Sequence, residues 1–156
     1  MARGNAKKKG YLLVGLALIG VLIYLFAGSV KVDIGTDSLT ASGTLSAAVT
    51  IPYSEIGEYE LRDNIPIGSR SFGLSTLNTL SGQYSSPAFG AYTLFAYKNV
   101  SKFIILRYSG GILVFNLQDE TETVKCFEQI SEKAAKAPSA DPGKNTNGSA
   151  SVIANS

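Results

Sequence analysis

Hydrophobic and polar positions follow three different rhythms along the chain. From Tyr11 to Val30 (YLLVGLALIGVLIYLFAGSV) there is no rhythm: twenty residues pass without a charge. A helix of that length rises about 30 Å, the thickness of a bilayer's hydrocarbon core. No polar stripe breaks the run, so a helix buried in a soluble core fits less well. A transmembrane helix is predicted over 11–30.

A period of two follows. Leu45, Ala47, Val49 and Ile51 alternate with Thr44, Ser46, Ala48 and Thr50, which predicts a half-buried strand ended or edged by Pro52. Glu58 to Leu61 alternates again, with acids outward and Tyr59 and Leu61 inward, and Asn64 to Gly68 is turn chemistry. The stretches AYTLFAYK (91–98), FIILRY (103–108) and ILVFNL (112–117) are nearly continuous in apolar residues, as expected of strands covered on both faces. Ser109-Gly110-Gly111 between the last two predicts a tight hairpin.

The period then lengthens to that of a helix. Asp119 precedes Glu122 by three residues, an Asp variant of the capping box. Val124, Phe127, Ile130 and Ala134 recur at helical spacing, and Lys133 and Lys136 suit the negative end of the dipole. One amphipathic helix is predicted over about 118–136. Beyond it, 137–156 is rich in Ala, Ser, Asn, Gly and Pro and lacks apolar periodicity, the composition of a disordered tail. The predicted fold is therefore mainly β: a bent antiparallel sheet or partly open barrel of about seven strands, capped by one C-terminal helix. Without helices between the strands, no parallel pairing is expected.

Charge adds a direction. The chain of 156 residues has 14 Lys and Arg, 12 Asp and Glu, and a net charge of +2. Arg3, Lys7, Lys8 and Lys9 all precede the apolar run, in a basic tail over 1–10, while every acid follows it. The positive-inside rule then places the N-terminus in the cytoplasm and the domain 31–136 outside the cell membrane, with Tyr11, Tyr24 and Phe26 as interfacial anchors. The alternative is a secreted domain released by signal cleavage near Ser29, although the run exceeds a usual signal h-region.

Candidate chemistry is sparse. There is no His, so His-dependent triads and His metal ligands are excluded, and the single Cys126 permits no intrachain disulfide. Cys126 reads as a small buried hydrophobe rather than a nucleophile, since no His can serve as its base. No catalytic constellation, metal site or cofactor motif is present, and the low charge argues against nucleic-acid binding. Arg70, beside Phe72 and Gly73, could hold a carboxylate or phosphate from a loop; the plainer reading pairs it with Glu58, Glu60 or Asp63 and buries Phe72 in the core.

In order through residues 37–130, Asp37-Ser38-Leu39, Val49 to Ile56 (VTIPYSEI), Gly68 to Gly73 (GSRSFG), Ser81 to Tyr84, Phe89 to Phe95 (FGAYTLF) and Phe115-Asn116-Leu117 form a pattern. It resembles that of bacterial pleckstrin-homology-like domains carried behind one membrane helix. The resemblance implies a seven-stranded bent sheet closed by a C-terminal helix, and no chemistry. Phosphoinositide-binding relatives hold phosphates with bases near the first strands. Here Lys31 to Arg62 encloses five acids and no base, which argues against that ligand. The expected role is a non-catalytic module that binds a protein or peptide, in a groove between the helix carrying Val124 and Phe127 and a neighbouring strand. The alternatives are a module for lipid or envelope polymer, using Arg70, Lys98, Lys102 and Arg107, and an enzyme of unrecognised type.

Overall fold

The computed structural model describes the backbone of residues 4–138 and the side chains of residues 10–23 and 28–138. Arg3 and the segment 139–156, most of the expected disordered tail, lie outside the described residues. So do the side chains of Lys7, Lys8, Lys9, Tyr24 and Phe26.

Helix α1 (Gly4–Ala27) comes first. It ends three residues short of the predicted Val30, because Gly28 takes a positive φ of 65° that stops the helical path. Val30 belongs instead to β1 and is buried in the core. Among the described residues no helix is long and apolar enough to cross a membrane. The described side chains of α1 cover only 10–23, about 21 Å of rise against a core of about 30 Å.

Among the described residues nine strands follow, where about seven are expected: β1 (Val30–Ile34), β2 (Ser38–Gly43), β3 (Val49–Pro52), β4 (Ile56–Asp63), β5 (Ser69–Ser75), β6 (Thr79–Ser86), β7 (Gly90–Tyr97), β8 (Lys102–Tyr108) and β9 (Gly111–Phe115). They form two open sheets, ordered β1-β2-β3 and β4-β8-β9-β7-β6-β5, rather than a barrel. Helix α2 (Glu120–Lys136) packs on β8, β4 and the 3-10 turn Tyr53–Glu55.

Two expectations are corrected. The strand drawn through 44–51 is mostly turn: Leu45 has a positive φ of 56° and is exposed, as is Ala47, and only Val49–Pro52 pairs. Its partner β2 supplies the buried residues Leu39 and Ala41 instead. Pairing is also not wholly antiparallel, because β9 lies parallel to β7, with Leu94 opposite Val114. No helix is needed for this: β8 turns back at Ser109-Gly110 so that β9 slides between β7 and β8.

That insertion makes β8, β9 and β7 the centre of the larger sheet, and both faces of these strands are covered. On one face Phe95, Ile104, Leu106, Leu113 and Phe115 meet Leu39, Ala41 and Ile51 of the small sheet and Cys126 and Ile130 of α2. On the other, Tyr92, Leu94, Ala96, Phe103, Ile105 and Val114 pack with Tyr84 and Phe89 beneath Ile65 and Ile67. The near-continuous apolar runs of these strands are thus accounted for. Asp119 caps α2 by accepting from the Glu122 backbone N–H at 2.8 Å, and Pro138 follows the helix end at Ala137. The buried stripe of α2 is Thr123, Cys126 and Ile130, with Val124, Phe127 and Ala134 half-buried at its flanks.

Candidate functional site

Strand β1 has a partner on one side only. Its hydrogen-bond parity follows from the ends of the hairpin, where Thr44 N–H donates to Ser29 O at 3.1 Å and Gly35 N–H donates to Ser38 O at 2.9 Å. In an antiparallel ladder such pairs recur at every second residue, so Lys31 and Asp33 also turn their backbone groups toward β2. Val30, Val32 and Ile34 therefore turn theirs to the open edge. The Val30 N–H is met by the Tyr97 hydroxyl at 3.3 Å. The groups of Val32 and Ile34 face a groove.

The far wall of that groove is Leu117 and one side of α2. Val32, Ile34, Leu117, Glu122, Lys125, Cys126 and Gln129 line a hollow of about 410 Å³. It adjoins a second hollow of about 620 Å³ along Val30 to Asp33, through shared Val32 and Leu117. A third, of about 710 Å³, shares Ile34 and Gln129 and continues past Tyr53 to Lys133 and Lys136. Lys133 Nζ stands 5.7 Å from the centre of the Tyr53 ring, whose hydroxyl donates to Gly35 O at 3.3 Å. Burial pushes the Tyr53 hydroxyl above its ordinary pKa, with Cys126 and Asp33 adding to the shift. The result is a trough with an apolar floor, one backbone ladder edge and a mixed polar rim.

The residues singled out in the sequence are not brought together. Arg70, Phe72 and Gly73 lie on β5, at the far edge of the large sheet, rather than in a loop. A bulge separates Arg70 from Phe72, and Arg70 is opposite Tyr84. Burial raises the Tyr84 pKa, and the Arg70 guanidinium opposes that rise. Phe72 is 76% exposed, not core, because the bulge and the glycine pair Gly73–Gly82 turn it outward. The carboxylates expected for Arg70 are engaged elsewhere: Glu60 with Arg62 at 2.8 Å, Asp63 with Lys102 at 2.5 Å and Glu58 with Arg107 at 3.3 Å. These same pairs leave Lys102 and Arg107 compensated. The hydrogen bond that Lys102 donates to Asp63 raises the Lys102 pKa. Phe127 stacks on Tyr59 of β4 with ring centres 6.1 Å apart, so the open groove is on the other side of α2 from Val124 and Phe127.

Val32, Ile34, Leu117 and Gln129 escaped the sequence reading. The signal was present, since Val30, Val32 and Ile34 alternate with Lys31 and Asp33. It was hidden by its position directly after the apolar run.

Among the described residues no group of three or more Cys, Asp and Glu could hold a metal ion. Cys126 is 4% exposed, and burial pushes its thiol up to about 11. A thiol whose pKa is raised on folding loses stability as pH climbs: between about 9 and 11 the unfolded chain releases its proton while the folded one keeps it. The stability of the native chain to urea should therefore fall over that interval relative to Cys126→Ala. Identical slopes would show that the thiol is not desolvated.

The chain matches no family model and has no significant match among curated proteins or solved structures.

Proposed function

We propose that this protein is a single-pass, membrane-anchored and non-catalytic β module that binds an extended segment of a partner protein along β1. The observation that carries the binding reading is the open ladder edge at Val32 and Ile34, set beside an apolar wall of Leu117 and α2. An added strand would bond to the backbone of those two residues and place alternate side chains against Leu117 and Cys126. Edges are commonly blunted by lysines, prolines or a covering element. At Val32 and Ile34 the inward side chains are apolar and the neighbouring space is a groove.

Anchoring is supported by α1. Its side chains from Tyr11 to Ile23 are apolar on every face, and the large ones are 51–77% exposed. A helix hydrophobic all round needs an apolar surrounding, and the domain does not supply one. A bilayer does, and the four bases that precede the apolar run then put the N-terminus in the cytoplasm. The pleckstrin-homology-like reading draws support from two packed sheets with a terminal helix across them. The ninefold strand count and the parallel β7–β9 pair depart from the pattern the resemblance implies.

Val32→Pro tests the groove. Proline removes an N–H that points away from β2, so the β1–β2 ladder survives. With a photoreactive residue in place of Gln129, native membranes should yield a crosslinked partner, and Val32→Pro should abolish that adduct while the circular-dichroism spectrum stays folded. Unchanged adducts in the folded variant would refute strand addition at this edge.

A further inference from the structure

Two leucines occupy turns where small polar residues or glycine are usual. Leu45 lies between β2 and β3, Leu77 between β5 and β6, and they are 72% and 77% exposed. Leu45 holds φ at 56°, a region leucine rarely adopts and Asn or Gly would enter more easily. An exposed apolar side chain kept in a strained conformation calls for a reason outside the fold.

Both turns touch the point where α1 ends. Ser29 N–H donates to Thr44 Oγ1 at 2.7 Å, and Thr44 N–H returns to Ser29 O at 3.1 Å, which fixes the turn carrying Leu45. A Cβ on Gly28 would stand 2.5 Å from Thr76 Oγ1 and 2.2 Å from Thr79 Oγ1, so the turn carrying Leu77 closes directly on that glycine. Thr76 and Thr79 in turn share a hydroxyl contact at 2.9 Å. From Ala27 to Ser29 is two residues, a reach of about 7 Å. The interfacial layer on each side of a bilayer is about 5–8 Å deep. With α1 spanning a bilayer, turns held that close to its end come within reach of that layer.

We propose that Leu45 and Leu77 insert into the lipid interface beside α1 and stand the domain upright on the membrane. The inference rests on the anchoring reading above and adds an orientation to it. The occupant is the bilayer itself, because the chain's own apolar helix leaves the domain between the two leucines. Lys98 belongs to the same end: its Nζ donates to Thr76 O at 2.5 Å and its backbone N–H to Asn78 O at 2.8 Å, which sets a cation at headgroup level. Asp63 and Glu120 act on Lys102 instead, which pairs with Asp63 at 2.5 Å. Thr36 lies two residues past the opposite end of β1, whose five residues span about 17 Å. The hollow at Tyr53 and Lys133 is near that distal end and faces away from lipid.

The full chain in phosphatidylcholine vesicles tests this with an environment-sensitive fluorophore on Asn78→Cys or Thr36→Cys, the buried Cys126 being shielded from labelling. At Asn78 the emission should shift to the blue and be quenched by nitroxide-labelled lipid; at Thr36 it should remain that of water. Leu45→Asn with Leu77→Asn should return the Asn78 probe to water-like emission without unfolding the domain, since asparagine accepts the positive φ at position 45, and without releasing the chain, since α1 is untouched. Asn78 emission equal to that of Thr36, or unchanged by the double substitution, in vesicle-bound protein overturns the insertion and leaves the anchor standing. A chain that fails to float with vesicles overturns both.

Discussion

Phe95→Ala is expected to cost about 3–5 kcal/mol of folding free energy, the range for an aromatic ring removed from a closed core. Phe95 is fully buried on β7, and its ring fills the space between the two sheets. A Cβ on Gly43 of β2 would come within 2.9 Å of its Cδ1 and 2.2 Å of the Ser81 hydroxyl, so the glycine lets the sheets close on the ring. Neither side can collapse easily: β7 is held by β6 and β9, and the Asn116 N–H bonds to Phe95 O at 3.2 Å. For a domain of this size the melting temperature should fall by roughly 15–30 °C. The exposed Phe72→Ala should change stability by less than about 0.5 kcal/mol. Equal effects of the two, followed by thermal circular dichroism, would mean that the small sheet does not pack through Phe95.

Removing residues 1–27 should move the protein entirely from the membrane pellet to the supernatant, still folded. Ten large apolar side chains between Tyr11 and Ile23 are exposed. At about 1.5–3 kcal/mol each for full burial, lipid would retain them with well over 10 kcal/mol. Neither hydrophobic cluster of the domain contains a residue before Val30, so its core should survive the truncation. Fractionation of cells expressing both forms, with melting of the soluble one, reads the two halves of this prediction. A truncated form that still pellets with membranes in carbonate wash would show that the anchor is elsewhere.

Local rules carried the fold well where one rhythm dominated. The three apolar runs became β7, β8 and β9, and Asp119 caps α2 as its position predicts. They failed where backbone conformation overrode side-chain pattern. Leu45 and Ala47 alternate with polar neighbours as a strand would, yet the positive φ at Leu45 turns the chain. Alternation constrains only which side chains could share a face, and a single residue outside the extended region breaks it. The parallel pair was illegible for another reason: the order β8-β9-β7 depends on which edge of β8 is free, and β4, far back in the chain, takes the other. The groove likewise emerges only from long-range placement, since Val32 and Gln129 are distant in sequence and neither bears chemistry of its own. Arg70 and Phe72 drew attention by residue type, but the acids near Arg70 in sequence found nearer bases, Glu60 within β4 and Asp63 and Glu58 across to β8.

The threading of β9 between β7 and β8 also sets a timetable. The small sheet is made first during synthesis, yet the surfaces that cover Leu39 and Ile51 belong to residues 95–115 and to Ile130. Until β9 has found its slot and α2 has formed, a chain emerging from its N-terminus holds three short strands with nothing to rest on. Local hairpins can close early, but the interior must wait for nearly the whole domain to appear. A domain delivered across a membrane behind its own helix would therefore travel as an unfolded thread and fold only once its last helix has arrived.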